Sequence, residues 1–435
     1  MALPTRRIFL LPPGLFTARE AVSWAGANER VNVAVVGVRG RGRDHIDGWV
    51  KGPNVTVAAV CDIDSGNVER AQAFTAQLGG GQPRGYADMR KVLEDKSIHA
   101  VSIATCNHWH ALGTIWALRA GKDVYCEKPV SHNLREGRLM VEAARKYNRI
   151  VQAGMQSRST PHKIEAVGLL REGVIGKLYM AKGLCHKRRK SIGRSPDGPV
   201  PPGVDYDMWL GPAPMRPFNP NRFHYNWHWF WDTGNGDIGN QGVHELDICR
   251  WGLGVSGLPK KVWSSGGKFI YDDDQETPNT QTALLDYGQA QIEFEVRGLI
   301  ANGEGSVEWD GQNTIGNIFY GSEGYLCLDA YGYHIYKGEK RELVRQHKVT
   351  GKVWDTQPHF DNFIAAVRSR KQGDLNCDIL EGHLSAGLCH LANASYRLGR
   401  SLKVEPAKEN FGADAEANAM LTRKYRAPYL IPDPV

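Results

Sequence analysis

The chain has 435 residues, 41% hydrophobic and 23% charged, an ordinary globular composition with length enough for two domains. The formal net charge of +7 is spread along the sequence. Its one dense basic run, His186-Lys187-Arg188-Arg189-Lys190, continues into a Gly/Pro/Ser-rich stretch and reads as a solvated loop, or as a long loop with some side chains reaching the substrate or cofactor pocket, rather than as a nucleic-acid patch. No run of eighteen apolar residues occurs, which excludes a membrane-spanning helix. The eight cysteines contain no Cys-x-x-Cys pair, so neither a disulfide framework nor a metal site is expected.

The first thirty residues stand apart. Thr5-Arg6-Arg7-Ile8-Phe9-Leu10 resembles a twin-arginine export signal and is followed by a modest apolar stretch and Ala25-Gly26-Ala27. Pro12, Pro13, Arg19 and Glu20 interrupt the apolar region. The segment therefore reads either as a signal, which would make the protein periplasmic or exported, or as a disordered extension of a cytoplasmic one.

From residue 31 the pattern is regular. A β-branched run at 31–36 ends in Gly37-Val38-Arg39-Gly40-Arg41-Gly42, and a helix follows to Trp49. Further αβ units follow: strand 55–60, helix 67–78, helix 89–93, strand 100–104, helix 110–120, strand 124–126, helix 134–147 and strand 150–153. Continuous apolar strands alternating with helices predict a doubly wound parallel sheet over 31–154, an α/β fold of Rossmann type. After residue 155 the rhythm changes. A helix at 162–172, a strand at 177–184 and a long loop at 190–235 precede strands at 260–264, 281–287, 291–296, 316–320, 325–328 and 334–336. Helices at 359–369 and 379–398 follow, the second expected to pack back on the first domain. Consecutive strands without helices predict a second, α+β domain over 155–405 with a large, mostly antiparallel sheet, leaving 406–435 as a C-terminal extension.

A glycine turn between a strand and a helix lets backbone N–H groups and the helix N-terminus face a pyrophosphate. Gly37, Arg39, Gly40, Arg41 and Gly42 form that turn here, with Arg39 where a strict fingerprint has its middle glycine. Asp62, twenty residues on, would accept hydrogen bonds from the ribose hydroxyls and repel a 2′-phosphate, so the expected cofactor is NAD; Asp64 could share that role. Thr105, Asn107, His108, Trp109 and His110 would border the nicotinamide. His108 and His110 lack a carboxylate or cysteine partner for a metal. Glu127-Lys128-Pro129 closes the strand at 124–126, which puts a lysine at the mouth of the sheet.

Together these residues resemble the glucose-fructose oxidoreductase/inositol dehydrogenase family, Gfo/Idh/MocA, over about residues 31–405. Further carriers of the resemblance are Trp209-Leu210-Gly211-Pro212, the stretch from Gly236-Asp237-Ile238-Gly239-Asn240 to His244-Glu245-Leu246-Asp247, and His359-Phe360 with Asn362-Phe363. The resemblance implies a Rossmann domain followed by an open-faced α/β domain, assembled as a homodimer or homotetramer through that sheet. It also implies that Lys128 and His244 flank the reacting sugar carbon. In that reading a cationic lysine lowers the hydroxyl pKa and a histidine near neutral pKa takes the proton. Glu127 would orient its neighbour and Pro129 would fix a rigid turn. Family dehydrogenases often carry an aspartate where this chain has Asn240; an amide can hold a hydroxyl but is not a base. Asp247 could orient the His244 ring, and Asp237 could be structural or chemical.

Gln156 is assigned to the cofactor site, and Arg158, Tyr206, Lys187, Arg188, Trp227 and Asp237 are weaker substrate candidates. The aromatic segment 223–231 fits either a carbohydrate platform or a core cluster. The resulting expectation is an NAD-dependent oxidoreductase acting on a secondary hydroxyl of a sugar, polyol or glycoside. The alternative, again implied by the resemblance, is a redox-neutral glycoside hydrolase that oxidises, eliminates, hydrates and reduces with retained NAD. A non-catalytic sensor of NAD and a ligand is the third class.

Overall fold

The structure is a computed structural model, and it describes residues 30–301, 304, 306–307 and 313–435. The twin-arginine motif lies outside the described residues.

The first layer is a six-stranded, wholly parallel sheet. Its elements are β1 (Val31–Val36), α1 (Gly40–Lys51), β2 (Val55–Cys61), α2 (Ser65–Gln77), β3 (Arg84–Tyr86), α3 (Met89–Glu94), β4 (Ala100–Ile103), α4 (Asn107–Arg119), β5 (Asp123–Cys126), α5 (Leu134–Lys146) and β6 (Val151–Ala153). The strand order β3-β2-β1-β4-β5-β6 reverses direction between β1 and β4, which opens a crevice at their carboxyl ends. The helices begin where the sequence provides caps. Asp64 accepts from Gly66 N–H at the start of α2, and Asn133 accepts from Glu136 N–H while the Glu136 carboxylate returns to His132 N–H at the start of α5.

The second layer follows α6 (Pro161–Arg171) and β7 (Leu178–His186). Two short helices, α7 (Tyr206–Leu210) and α8 (Gly236–Asn240), and the longer α9 (Gly242–Leu253) precede strands β8 (Lys261–Gly267), β9 (Thr280–Asp286), β10 (Gln291–Arg297), β11 (Thr314–Gly321), β12 (Gly324–Leu328), β13 (Gly332–Lys337) and β14 (Glu342–Lys348). The chain ends in α10 (Gln357–Ser369), α11 (Ile379–Leu398), β15 (Leu402–Lys403) and α12 (Ala415–Ala419). The nine strands lie in the order β14-β13-β12-β11-β7-β10-β9-β8-β15, with β7 and β10 parallel and the other neighbours antiparallel. In β9 and β10 buried residues alternate with half-exposed ones, because helices α9 and α11 cover only one face.

Helix α11 ties the two layers together: Gly382 lies against Ala153 and Val130, so a side chain there would have no room. The expected packing of this helix on the first domain is therefore observed. Three strands went unexpected: β3, β14 and β15. The sequence of β14, Glu-Leu-Val-Arg-Gln-His-Lys, is almost wholly exposed at the edge of the sheet, where charge replaces the apolar signal of an inner strand.

Candidate active site

Gly37 adopts φ of +80° against the Ala104 carbonyl, and a Cβ on Gly42 would lie 1.8 Å from the Gly37 oxygen. Only glycine fits at these two places. A Cβ on Gly40 would meet nothing within 4 Å. Helix α1 starts there without a side-chain cap, so its first N–H groups face the crevice. Asp62 closes the adjoining strand. Its Oδ2 accepts from Val38 N–H at 3.0 Å and its Oδ1 from Asp64 N–H at 3.1 Å. Burial pushes the Asp62 carboxyl above its usual value, against those hydrogen bonds. An uncapped helix end, an open cradle at Gly40 and a half-buried carboxylate fit the pyrophosphate and ribose of a dinucleotide.

The crevice is lined by Gly37, Arg39, Gly40, Arg41, Asp62, Asn67, Thr105, Asn107, Trp109, Glu127, Lys128 and Asn240, and also by Met208, Trp209, His224, Tyr225, Trp227 and His228. Helix α4 begins three residues earlier than expected, so Asn107 and Trp109 project from its first turn rather than from a loop. His108 and His110 are not wall residues. The two His108 ring nitrogens approach the Thr233 and Trp209 carbonyls, and those of His110 approach Pro129 and Thr105. Both rings brace the backbone around the pocket instead of touching a cofactor.

Glu127 is fully engaged. Its Oε1 accepts from Arg41 Nε at 2.8 Å and Gln156 Nε2 at 2.8 Å and lies 3.0 Å from His45 Nε2. Burial works against its charge, but Arg41 and His45 hold it well below the usual carboxylate range. Gln156 gives its amide to Glu127 and to the Tyr125 hydroxyl. Its expected place at the cofactor is corrected to one behind the wall. The Lys128-Pro129 peptide is cis, and the Lys128 ammonium donates to the Asn240 carbonyl at 2.6 Å. Burial, with Arg41 and Lys187, brings Lys128 down to about 8, in spite of Glu127 and Glu245.

His244 sits on the first turn of α9 with its Nδ1 buried and unpartnered. Burial, then Lys128 and Lys163, drive its pKa well below the ordinary histidine value. That overturns the expectation of a histidine titrating near neutrality. Asp247 does not orient this ring. It accepts both Nε and Nη2 of Arg158 (2.9 and 2.8 Å) and the Ser385 hydroxyl (2.7 Å). Arg158 also reaches Glu381 at 3.0 Å, so it is a buried ion-pair residue and not a substrate contact. Asp237 is likewise held by Arg189 Nε and Nη2 at 2.8 and 2.7 Å, and its Oδ1 lies 3.4 Å from Asn240 Nδ2. Tyr206 stacks on Trp209 and donates its hydroxyl to Pro217, which places it behind the wall. Arg188 turns to Tyr271 and the Gly298 carbonyl, whereas Lys187 reaches Gln241 Oε1 at 3.3 Å beside the Asn240 turn.

Sequence reasoning missed His45, Arg189, Asn235 and the direct role of the 224–228 segment in the cofactor wall. For that segment the signal was present in its aromatic density. For His45 and Asn235 nothing local marks the long-range partners, Glu127 and Asn107. Among the described residues, His186, Glu295 and Glu304 bring ligand-type atoms within 4.8 Å of one another. Lys182 Nζ lies 2.6 Å from Glu304 and Arg297 Nε 2.6 Å from Glu295, so side-chain cations already occupy those carboxylates.

The fold and the crevice define a two-domain protein with an NAD-binding Rossmann domain. Residues 31–155 match the oxidoreductase family GFO_IDH_MocA, described as an NAD-binding Rossmann fold, and residues 182–264 and 319–431 match its C-terminal alpha/beta domain. The chain belongs to the Gfo/Idh/MocA family. It is 36% identical to a levoglucosan dehydrogenase of Pseudarthrobacter phenanthrenivorans over 255 residues, 56% of this chain and 58% of that protein, which is under two thirds of the relative's length. It is 27% identical to inositol 2-dehydrogenase 2 of Saccharopolyspora erythraea over 307 residues, 68% of this chain and 77% of the relative. Among solved structures, a levoglucosan dehydrogenase complexed with NADH and levoglucosan superposes with a TM-score of 0.67 at 17% identity, covering 86% of this chain and all of that one. The aldose-aldose oxidoreductase of Caulobacter crescentus complexed with glycerol gives 0.65 at 16%, with the same coverage. At such identities the structural likeness speaks for the fold.

Proposed function

We propose that the protein is an NAD-dependent oxidoreductase acting on a secondary hydroxyl of a sugar, polyol or glycoside. The observation that carries this reading is Lys128: a half-buried ammonium at the junction of the cofactor crevice and the α8–α9 turn, with its pKa brought down to about 8. Bound NAD would supply the hydride acceptor for the carbinol carbon. The glycine turn and the α1 N-terminus would hold its pyrophosphate, Asp62 its ribose, and Thr105, Asn107 and Trp109 would border its nicotinamide. Lys128 in its ammonium form hydrogen-bonds the substrate oxygen and lowers the hydroxyl pKa; in its neutral form it takes the proton. His244, kept neutral by burial and by the neighbouring lysines, passes or accepts a hydrogen bond rather than storing a proton. Asn240 orients a hydroxyl through its amide. A broad panel of sugars, polyols and glycosides, assayed for reduced nicotinamide, tests the reading; no reduction with any member refutes it.

A second reading is favoured by the roof over the cofactor crevice. Met208, Trp209, His224, Tyr225, Trp227 and His228 cover a pocket whose floor is the Rossmann turn. Asp205 N–H donates to Ile63 O at 2.9 Å and Ser65 N–H to Gly203 O at 3.0 Å, pinning that roof to the adenosine edge. A retained cofactor suits a redox-neutral glycoside hydrolase. There a ring hydroxyl is oxidised, the aglycone leaves after removal of the C2 proton, water adds and the ring is reduced. Solvent deuterium at C2 during aglycone release from nitrophenyl glycosides supports this reading, and no release from any of them excludes it. The half-open sheet face supports a homodimer or homotetramer, which light scattering tests. The twin-arginine motif supports export, which a reporter fusion with Arg6 and Arg7 replaced by lysine tests.

A further inference from the structure

Helix α7 carries Met208 and Trp209 into the cofactor wall on one side. On its other side the C-terminal segment grips it. Arg426 Nη1 donates to Asp207 Oδ1 at 2.5 Å, Nη2 to Asp207 O at 2.7 Å and Nε to Gly211 O at 3.1 Å. The Tyr429 hydroxyl donates to Asp207 Oδ2 at 3.0 Å, and its ring stands edge-on to Trp109, with centroids 5.5 Å apart. Trp109, itself a wall residue, donates its Nε1 to Met208 O at 2.9 Å. Farther along the roof, Arg423 Nη1 donates to Asp232 O at 2.7 Å. The same segment is anchored on Rossmann helix α5: Arg135 N–H donates to Leu421 O at 3.0 Å, the Arg135 guanidinium pairs with Asp433 at 2.5 Å, and Lys146 donates to Val435 O at 2.7 Å. One continuous strap thus joins the body of the cofactor domain to the loop that the second domain lays over the cofactor.

We propose that this C-terminal strap, with Arg426 as its positioning residue, holds the roof shut over bound NAD and sets how fast the cofactor leaves. NAD must pass the wall formed by α7 and residues 224–228, and that wall cannot rise from the Rossmann edge while Asp207 and Gly211 are tied through the strap to α5. Arg426 touches neither cofactor nor substrate; it acts on the wall through Asp207. This inference rests on NAD binding by the Rossmann domain and is independent of which substrate is oxidised.

The test is the dissociation rate of NADH from the loaded full-length protein, followed by loss of nicotinamide fluorescence on chasing with excess NAD. Arg426→Ala is expected to release NADH on the order of ten-fold faster, the scale of one lost charge-assisted hydrogen-bond set. Asp207→Asn should do the same. The double variant should release NADH less fast than the two single effects multiplied together, because both break the Arg426–Asp207 side-chain pair. Arg426→Lys should recover part of the retention. Tyr429→Phe, a milder change, should give a smaller acceleration in the same direction if Arg426→Ala folds poorly. Glu416→Gln loosens a surface pair of the same segment with Arg400, away from the roof, and should leave the rate unchanged. Wild-type release from Arg426→Ala and Tyr429→Phe, or equal acceleration by Glu416→Gln, overturns the proposal.

Discussion

Half-buried Asp62 and buried Asp247 are both carboxylates beside the crevice, and they are used in opposite ways. On the cofactor side, backbone N–H groups and the Asn67 amide share the Asp62 oxygens. Its raised pKa marks a group short of compensating charge and still able to accept from a ligand. On the substrate side, a guanidinium and a hydroxyl saturate Asp247, whose pKa falls: burial opposes the charge but Arg158 outweighs it. Asp237 is likewise ion-paired, to Arg189. The frame under the α8–α9 turn is therefore an ion-paired scaffold, and the atoms left for chemistry are those that it does not consume: the Lys128 ammonium and the His244 ring. Spare hydrogen-bonding capacity, more than residue type, separates functional from structural polar groups here.

Substitutions on the two sides should fail in different ways. Lys128→Met is expected to lower the turnover of hydroxyl oxidation by about 10²–10⁴-fold while NAD titration stays near wild type; equal loss of both would merge the two sides. Arg158→Ala should cost about 3–5 kcal/mol of stability by stranding buried Asp247, read by denaturant unfolding; an intact protein with altered sugar selectivity would return Arg158 to the substrate contacts. Gly42→Ala, whose Cβ would collide with the Gly37 carbonyl, should cost about 1–3 kcal/mol and weaken NAD binding. A smaller effect is expected in the pH profile. Lys128 is depressed from 10.5 to about 8, so its proton-accepting neutral form dominates above that pH. Oxidation should rise through about pH 8 and carbonyl reduction should fall. No corresponding limb should belong to His244, which stays neutral across that range.

The cofactor side was legible because its signals are local. The apolar run 31–36, the glycine turn, Asp62 and Glu127-Lys128-Pro129 each lie within a few residues of the geometry they impose, and strand-helix alternation yields the parallel sheet. The substrate side was read less well because its partners are distant in sequence. Arg158 meets Asp247 89 residues away, and Asp237 meets Arg189 48 residues away, so spacing could not show that these charges are already matched. Gln156, expected at the cofactor, turns inward for the same reason, to Glu127 29 residues upstream. The depression of His244 follows from burial beside Lys128 and Lys163, which no sequence pattern carries.

The central claim is that this crevice brings a substrate hydroxyl to Lys128 and NAD together. The most direct measurement is a single-turnover one: NAD-loaded wild-type protein and Lys128→Met are mixed with each sugar, polyol and glycoside of the panel and nicotinamide fluorescence is followed. The expected result is a burst of reduced cofactor with at least one substrate in the wild type and a strongly slowed burst in the variant, whether or not the cycle later reoxidises the cofactor. No reduced nicotinamide with any substrate, or a burst that Lys128→Met leaves unchanged, would contradict it.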